Sequence, residues 1–258
     1  MRAAAFFDLD KTIIAKSSTL AFTRPMFRAG MLSGTTLAKA GIAQAYYQAF
    51  GADHDQMERV KEELANLTRG WNREEVEALV EETVEEVVAP LVYSEALAII
   101  DEHREAGRQV VVISASPEEI VRPLCRFLGI EDVIASRSEV DDQGRYTGNI
   151  EFYAYGPGKA EAMLSMAEAE GIDLAASYAY SDSATDLPMM EVVGHPVAVN
   201  PDSELTAVAE ERGWDVLRFE SVVTLRDRLA ENAVPAGAVF ATGVAAVIAY
   251  WALKGRKK

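Results

Sequence analysis

Hydrophobic and polar positions along this chain follow two rhythms. Short, mostly apolar runs at 3–7, 109–114, 132–136, 177–181, 196–200 and 216–219 predict strands buried on both faces. Between and before them, apolar residues recur at helical spacing. Residues 17–29, 33–50, 53–68 and 72–88 form one helical block, broken by Gly30, Gly34, Gly51 and Gly70 and stopped by Pro90. Asp53-x-x-Gln56 and Asn72-x-x-Glu75 have capping-box spacing. In 72–88, Val76, Leu79, Val80, Thr83, Val84, Val87 and Val88 share one face, and the many glutamates share a face expected to be solvated.

After Tyr93 strands and helices alternate, with helices predicted at 94–106, 117–128, 158–170, 184–191, 203–212 and 221–231. Ser116, Pro117 and Glu119 predict a helix cap, and Asp142-Gln-Gly144 predicts the turn of a polar hairpin with strands around 138–140 and 146–152. The alternation implies an α/β fold with a parallel sheet covered on both faces. The core domain is then 1–14 plus 91–231. Residues 15–90 are an all-helical insertion after the first strand, placed as a lid over its carboxyl end.

Residues 232–253 carry no charge, are long enough to span a bilayer, and end in Tyr250 and Trp251 before a basic tail. Region 232–258 is therefore read as a transmembrane or membrane-anchoring helix with a basic tail. A buried C-terminal helix or a dimerisation helix fits the same composition. Its orientation stays open, because a cytoplasmic body would place the basic tail outside, against the positive-inside rule.

The net charge of −16 sharpens this picture. The tail holds four basic residues and no acids, so −16 less +4 leaves −20 on residues 1–231, a body expected to repel nucleic acid. The single cysteine, Cys125, excludes an internal disulfide, fits a reducing cytoplasmic compartment, and sits at helical spacing with Leu128 as core packing. His54, His103 and His195 lack ligand spacing, so any metal would be held by oxygen, which favours Mg²⁺.

Candidate chemistry begins where the first strand ends, in Asp8-Leu-Asp10-Lys-Thr12. Alternate residues in extended backbone face one side, so two carboxylates and a hydroxyl would converge at the strand's carboxyl end, and a positive group should sit between the acids. An acidic turn with Asp10 as a helix cap fits the same stretch. Three further signals occupy equivalent places: Ser114 ends the second strand, Lys159 opens the helix after the hairpin in Gly156-Pro-Gly-Lys159, and Ser181-Asp182-Ser-Ala-Thr-Asp186 follows the fourth strand.

In this order the four motifs resemble the haloacid dehalogenase (HAD) superfamily of phosphohydrolases, in the branch that contains phosphoserine phosphatase. The resemblance covers about residues 1–220. It implies a Rossmann-like parallel sheet with a helical cap, and a Mg²⁺-dependent phosphomonoester hydrolase acting on a small phosphorylated substrate. Asp8 matches the nucleophile that forms an aspartyl-phosphate, and Asp10 the general acid/base. Thr12, Ser114 and Lys159 match the phosphate-binding groups. Asp8, the Asp10 carbonyl and Asp182 match the metal ligands, with Asp186 direct or through water.

Departures bear on the substrate. Ser17 stands where phosphoserine phosphatases commonly have a cap glutamate. Ser114-Ala-Ser116 replaces Ser-Gly-Gly, Thr185 replaces asparagine, and Lys11 replaces a small residue. Arg24 and Arg28, a helical turn apart, could meet an acidic substrate or simply face solvent. The rival functions are a membrane-associated phosphatase for a lipid or headgroup phosphate, a phosphotransferase to an alcohol, and a phosphate-binding regulatory protein without turnover.

Overall fold

A computed structural model of the chain describes residues 2–34 and 65–222. The first strand, β1 (Ala4–Phe7), is buried along its whole length and lies at the centre of a seven-stranded sheet. The other strands are β2 (Gln109–Pro117), β3 (Asp132–Val140), β4 (Tyr146–Phe152), β5 (Tyr178–Ser181), β6 (His195–Val199) and β7 (Asp215–Leu217), in the order β4-β3-β2-β1-β5-β6-β7. All neighbours are parallel except β4, which returns antiparallel to β3. Phe7 pairs with Val112 of β2 on one side and with Tyr180 of β5 on the other. That register brings the carboxyl ends of the three strands together where the strand order reverses, the usual ligand position of open α/β sheets.

Crossover helices cover the sheet: α4 (Ser94–Glu105), α5 (Glu118–Phe127), α6 (Pro157–Glu170), α7 (Leu187–Glu191) and α8 (Ser203–Arg212). One apolar core joins Phe6, Val111 and Ile113 of the sheet to Met163, Met189, Met190 and Leu205 of the helices. Apolar runs without alternation suit strands covered in this way. Cys125 is fully buried, and burial pushes its thiol up to about 12, so it packs as a small apolar group.

Within the insertion, helices lie at both ends of the described residues, and the first of them differs from the sequence expectation. The helix expected over 17–29 is two short ones, α1 (Ser18–Ala21) and α2 (Thr23–Arg28). Pro25 has no N–H to offer the Ala21 carbonyl and its ring crowds that position, so the chain restarts at Thr23. Most of each helix expected at 33–50 and at 53–68 lies outside the described residues, as do most of 221–231 and the apolar stretch 232–253. Among the described residues no helix is long and apolar enough to cross a membrane.

Helix α3 (Arg73–Val88) starts where Asn72 accepts the Glu74 and Glu75 N–H groups at 2.9 and 3.2 Å. It buries Val76, Val80, Val84 and Val88, while Leu79, Thr83 and Val87 flank that row half-buried. Its acidic side is not wholly solvated, because Glu77 and Glu81 reach Arg126 of α5. Arg73 likewise meets Glu119, at 3.1 Å, so ion pairs join the insertion to the core helix beside β2.

Two further boundaries moved. Strand β2 runs on to Pro117, with a register irregularity after Ser114, and α5 begins at Glu118. Ser116 is therefore not the helix cap; its hydroxyl is used elsewhere. Strand β3 is continuous over both expected segments, and its turn into β4 is held by Asp141, which accepts the Gln143 and Arg145 N–H groups at 2.9 Å each.

The face of the sheet opposite the methionines carries a polar group in an aromatic setting. Phe7 stacks on Tyr180 at 4.3 Å between ring centroids, and His103 of α4 meets Phe7 edge-on. His103 Nδ1 accepts from Arg108 Nε at 2.6 Å, so Nε2 carries the proton, 2.7 Å from the Tyr180 hydroxyl. Burial, helped by the Arg108 charge, lowers its pKa to about 4. The unfolded chain binds this proton nearer pH 6.5, so its share of stability is complete above that pH and is lost as pH falls through 4. Denaturant unfolding should therefore show a loss on the order of 2–3 kcal/mol between pH 7 and 4.5 that is absent in His103→Gln. An equal loss in both proteins would contradict it.

Candidate active site

Past Phe7 the ladder continues for one residue, as the Asp8 N–H donates to the Tyr180 carbonyl at 2.9 Å. The chain then turns tightly, with the Ile13 and Ile14 N–H groups both donating to the Leu9 carbonyl. Lys11 at the tip has φ of 64°, a left-handed conformation that costs a non-glycine residue energy and recurs at functional sites. The turn fixes Asp8 at the strand end and separates the surroundings of the two acids.

Asp8 faces Lys159. Helix α6 starts at Pro157, and a side chain on Gly158 would place Cβ 2.4 Å from the Tyr153 carbonyl oxygen, so only glycine lets the helix begin this close to the loop. Lys159 is thereby carried into the interior, 2% exposed, with Nζ donating to Asp8 Oδ1 at 2.6 Å and Asp186 Oδ2 at 2.8 Å. Burial alone would lower its pKa, but Asp186 and Asp8 outweigh that and hold it above the ordinary lysine value. The expected positive group is therefore present, but it sits between Asp8 and Asp186 rather than between Asp8 and Asp10.

Asp186 also accepts from Ser181 Oγ at 2.7 Å, and the Ser183 N–H donates back to Ser181 Oγ at 3.2 Å. Asp182, just beyond β5, has Lys11 Nζ 3.8 Å away. Burial raises Asp182 to about 7, with Lys11 opposing and Asp186 reinforcing the shift. Asp8 is raised by burial despite Lys159, with Asp186, Asp182 and Asp10 adding repulsion.

Asp10 is held from the insertion and from β2. The Ser18 N–H at the start of α1 donates to Oδ1 at 2.8 Å, and Ser116 Oγ donates to Oδ2 at 3.1 Å. Burial raises its pKa, while these bonds, which favour the carboxylate, oppose the rise. Ser114 is buried, and its hydroxyl accepts the Ser116 N–H at 3.1 Å, leaving its own proton to donate. Thr12 Oγ1 is fully buried with no hydrogen-bond partner among the described residues, as suits a hydroxyl reserved for a ligand.

All seven sequence-predicted residues thus belong to the carboxyl ends of β1, β2 and β5 or the start of α6. Ser18, Ser116 and Ser181 hold the acids, a role that the sequence reading assigned to none of them. Arg24 and Arg28 are exposed on α2, and Ser17 lies half-buried just before α1 without a side-chain cap bond.

The donor chemistry fits Mg²⁺. Among the described residues no three histidine, cysteine, aspartate or glutamate side chains are gathered as a ligand set. Mg²⁺ needs fewer, since it commonly keeps several waters and takes one or two carboxylates. Asp8 and Asp182 are hard oxygen donors, and the four buried or half-buried carboxylates exceed the charge of Lys159 and half-exposed Lys11. Burial raises Asp8 and Asp182, repulsion among the acids adds to the rise, and a divalent cation would relieve that repulsion.

Comparison with known proteins agrees with this geometry. The model of the haloacid dehalogenase-like hydrolases matches residues 5–191. A probable phosphatase of Mycobacterium tuberculosis is 50% identical over 249 residues, covering 96% of this chain and 86% of the relative. A Streptomyces azureus protein named for inhibition of morphological differentiation is 48% identical over 252 residues, covering 96% and 91%. A phosphoserine phosphatase of M. tuberculosis is 34% identical over 223 residues, covering 85% and 71%. The fold is shared with a crystal structure of phosphoserine phosphatase in apo form, at a TM-score of 0.58 and 21% identity over 89% of this chain and 98% of that one. The chain therefore belongs to the haloacid dehalogenase-like hydrolases, and its relatives support a phosphoric monoester hydrolase within that family.

Proposed function

We propose that this chain hydrolyses small phosphate monoesters in two steps through Asp8. The observation that carries this reading is the buried Lys159 ammonium bridging Asp8 and Asp186, beside a second carboxylate, Asp10, held separately. An Asp8 carboxylate oxygen attacks phosphorus as the bond to the leaving oxygen breaks, and Asp10 gives that oxygen its proton. Water then attacks the aspartyl-phosphate, Asp10 takes a proton from it, and phosphate leaves with the Asp8 carboxylate restored. Lys159, with the Thr12 and Ser114 hydroxyls, binds the phosphoryl oxygens where charge gathers. Mg²⁺ held by Asp8, Asp182 and the Asp10 carbonyl would supply two further positive charges for a dianionic substrate.

Residues 15–90 act in this reading as a cap over the core formed by 1–14 and 91–231. Phosphoserine is the substrate that one relative's name suggests, but Ser17 offers no carboxylate to its ammonium group. A headgroup or lipid phosphate is a second reading, favoured only by the uncharged stretch 232–253.

Phosphate release from a panel holding phosphoserine, glycerol phosphate, phosphoethanolamine, a short-chain phosphatidate and 4-nitrophenyl phosphate tests the reading. Release is expected with Mg²⁺, at background with a chelator, and restored by excess Mg²⁺. Release unaffected by chelation would remove the metal from the account, and none from any ester would remove the hydrolase.

A further inference from the structure

We propose that Ser116 is a positioning residue for Asp10, tying the first turn of the insertion to the acid that protonates the leaving group. The inference rests on the acid/base reading of Asp10 given above.

Its ground is a chain of hydroxyls whose directions can be counted. Ser116 Oγ has one proton, and it donates that proton to Asp10 Oδ2 at 3.1 Å. Ser18 Oγ donates to Ser116 Oγ at 2.9 Å. Thr19 Oγ1 lies 3.2 Å from the same oxygen and, with the serine's proton committed, must be the donor there. Ser116 thus gives one bond and accepts two, which exhausts its capacity and leaves its hydroxyl no rotational choice. Its backbone is fixed as well, because its N–H donates to Ser114 Oγ at 3.1 Å.

The Ser18 N–H holds the other Asp10 oxygen at 2.8 Å, so both ends of the carboxylate are fixed and its plane is set. One donor comes from the insertion and the other from β2. Ser116 is 7% exposed and is not among the residues of the apolar core, so hydrophobic packing does not explain the cluster. Glycine or alanine at this position would leave Asp10 Oδ2 without that donor, and Ser18 and Thr19 without their shared acceptor.

Proton transfer to a leaving oxygen is sensitive to sub-ångström placement of the acid, and more so when the leaving group is poor. Phenyl phosphate and 4-nitrophenyl phosphate have similar shape but differ in leaving-group basicity. Because kcat/KM reports steps up to loss of the first product, it isolates the transfer in which Asp10 serves as acid.

In Ser116→Ala, kcat/KM for phenyl phosphate is expected to fall by about tenfold or more, and for 4-nitrophenyl phosphate by less than about threefold. Ser116→Thr, which keeps a hydroxyl, is expected to recover most of the phenyl phosphate rate. Asp10→Asn is the reference, with the same ordering and larger losses. If Asp10→Asn discriminates between the esters while Ser116→Ala, folded by circular dichroism, slows both equally, the positioning role is overturned and the acid/base reading stands. If Asp10→Asn itself slows both equally, the acid/base reading fails and the positioning role with it.

Discussion

Replacing Asp8 by asparagine is expected to abolish phosphate release, by at least about 10⁴-fold in kcat, and to leave the protein folded. The amide has the carboxylate's shape but no charge and no oxygen able to form a stable acyl phosphate. The fold should survive for an electrostatic reason. Lys159 keeps Asp186 as its partner, 2.8 Å away, and one of several mutually repelling buried acids is gone. A melting temperature near the wild-type value beside absent turnover is the expected pair of results. Turnover near the wild-type level in Asp8→Asn would exclude the aspartyl-phosphate route.

The second large effect falls on Lys159. Lys159→Met keeps the length of the side chain and removes the charge that bridges Asp8 and Asp186. Breaking a buried ion pair from one side leaves uncompensated charge, a loss of about 3–5 kcal/mol in unfolding free energy. The phosphoryl group also loses a fixed cation, which should lower kcat by a further 10²–10³-fold or so. Lys159→Arg is not expected to repair either property, since a planar guanidinium is larger than the point charge that fits a 2% exposed position. Urea unfolding in the presence of a chelator measures the stability change without a metal masking it. A Lys159→Met protein as stable as wild type would mean that one acid is already neutral there.

Much of this was legible along the chain, and the reasons are local. Residues 3–7 could be read as a buried strand because a short apolar run without polar interruption suits a sheet covered on both faces. Asn72 announced α3, since an Asx side chain before a first turn serves the backbone N–H groups within its reach. The acids, Ser114 and Lys159 could be placed because each follows a strand or opens a helix, and parallel topology sends those points to one edge. The errors are local competitions decided from a distance. Ser116-Pro-Glu-Glu119 has good capping chemistry, yet the Ser116 hydroxyl went to Asp10, 106 residues away in the chain. The glutamates of α3 looked solvated because nothing nearby in sequence revealed Arg126.

By itself the sequence determined which strand ends carry the motifs, the order of the motifs along the chain, and the family they resemble. The strand ends follow from backbone periodicity, and the family from the resemblance of the four motifs taken together. Tertiary structure alone decided the pairing of charges. The Asp8-x-Asp10 stretch looked like two acids sharing one counter-charge, but the turn at Lys11 sends them to different partners. Asp8 shares Lys159 with Asp186, and Asp10 is held by Ser18 and Ser116. Spacing in the chain can say that two carboxylates lie close. Which donor each meets depends on helices that arrive from elsewhere in the fold, and no local pattern encodes their approach.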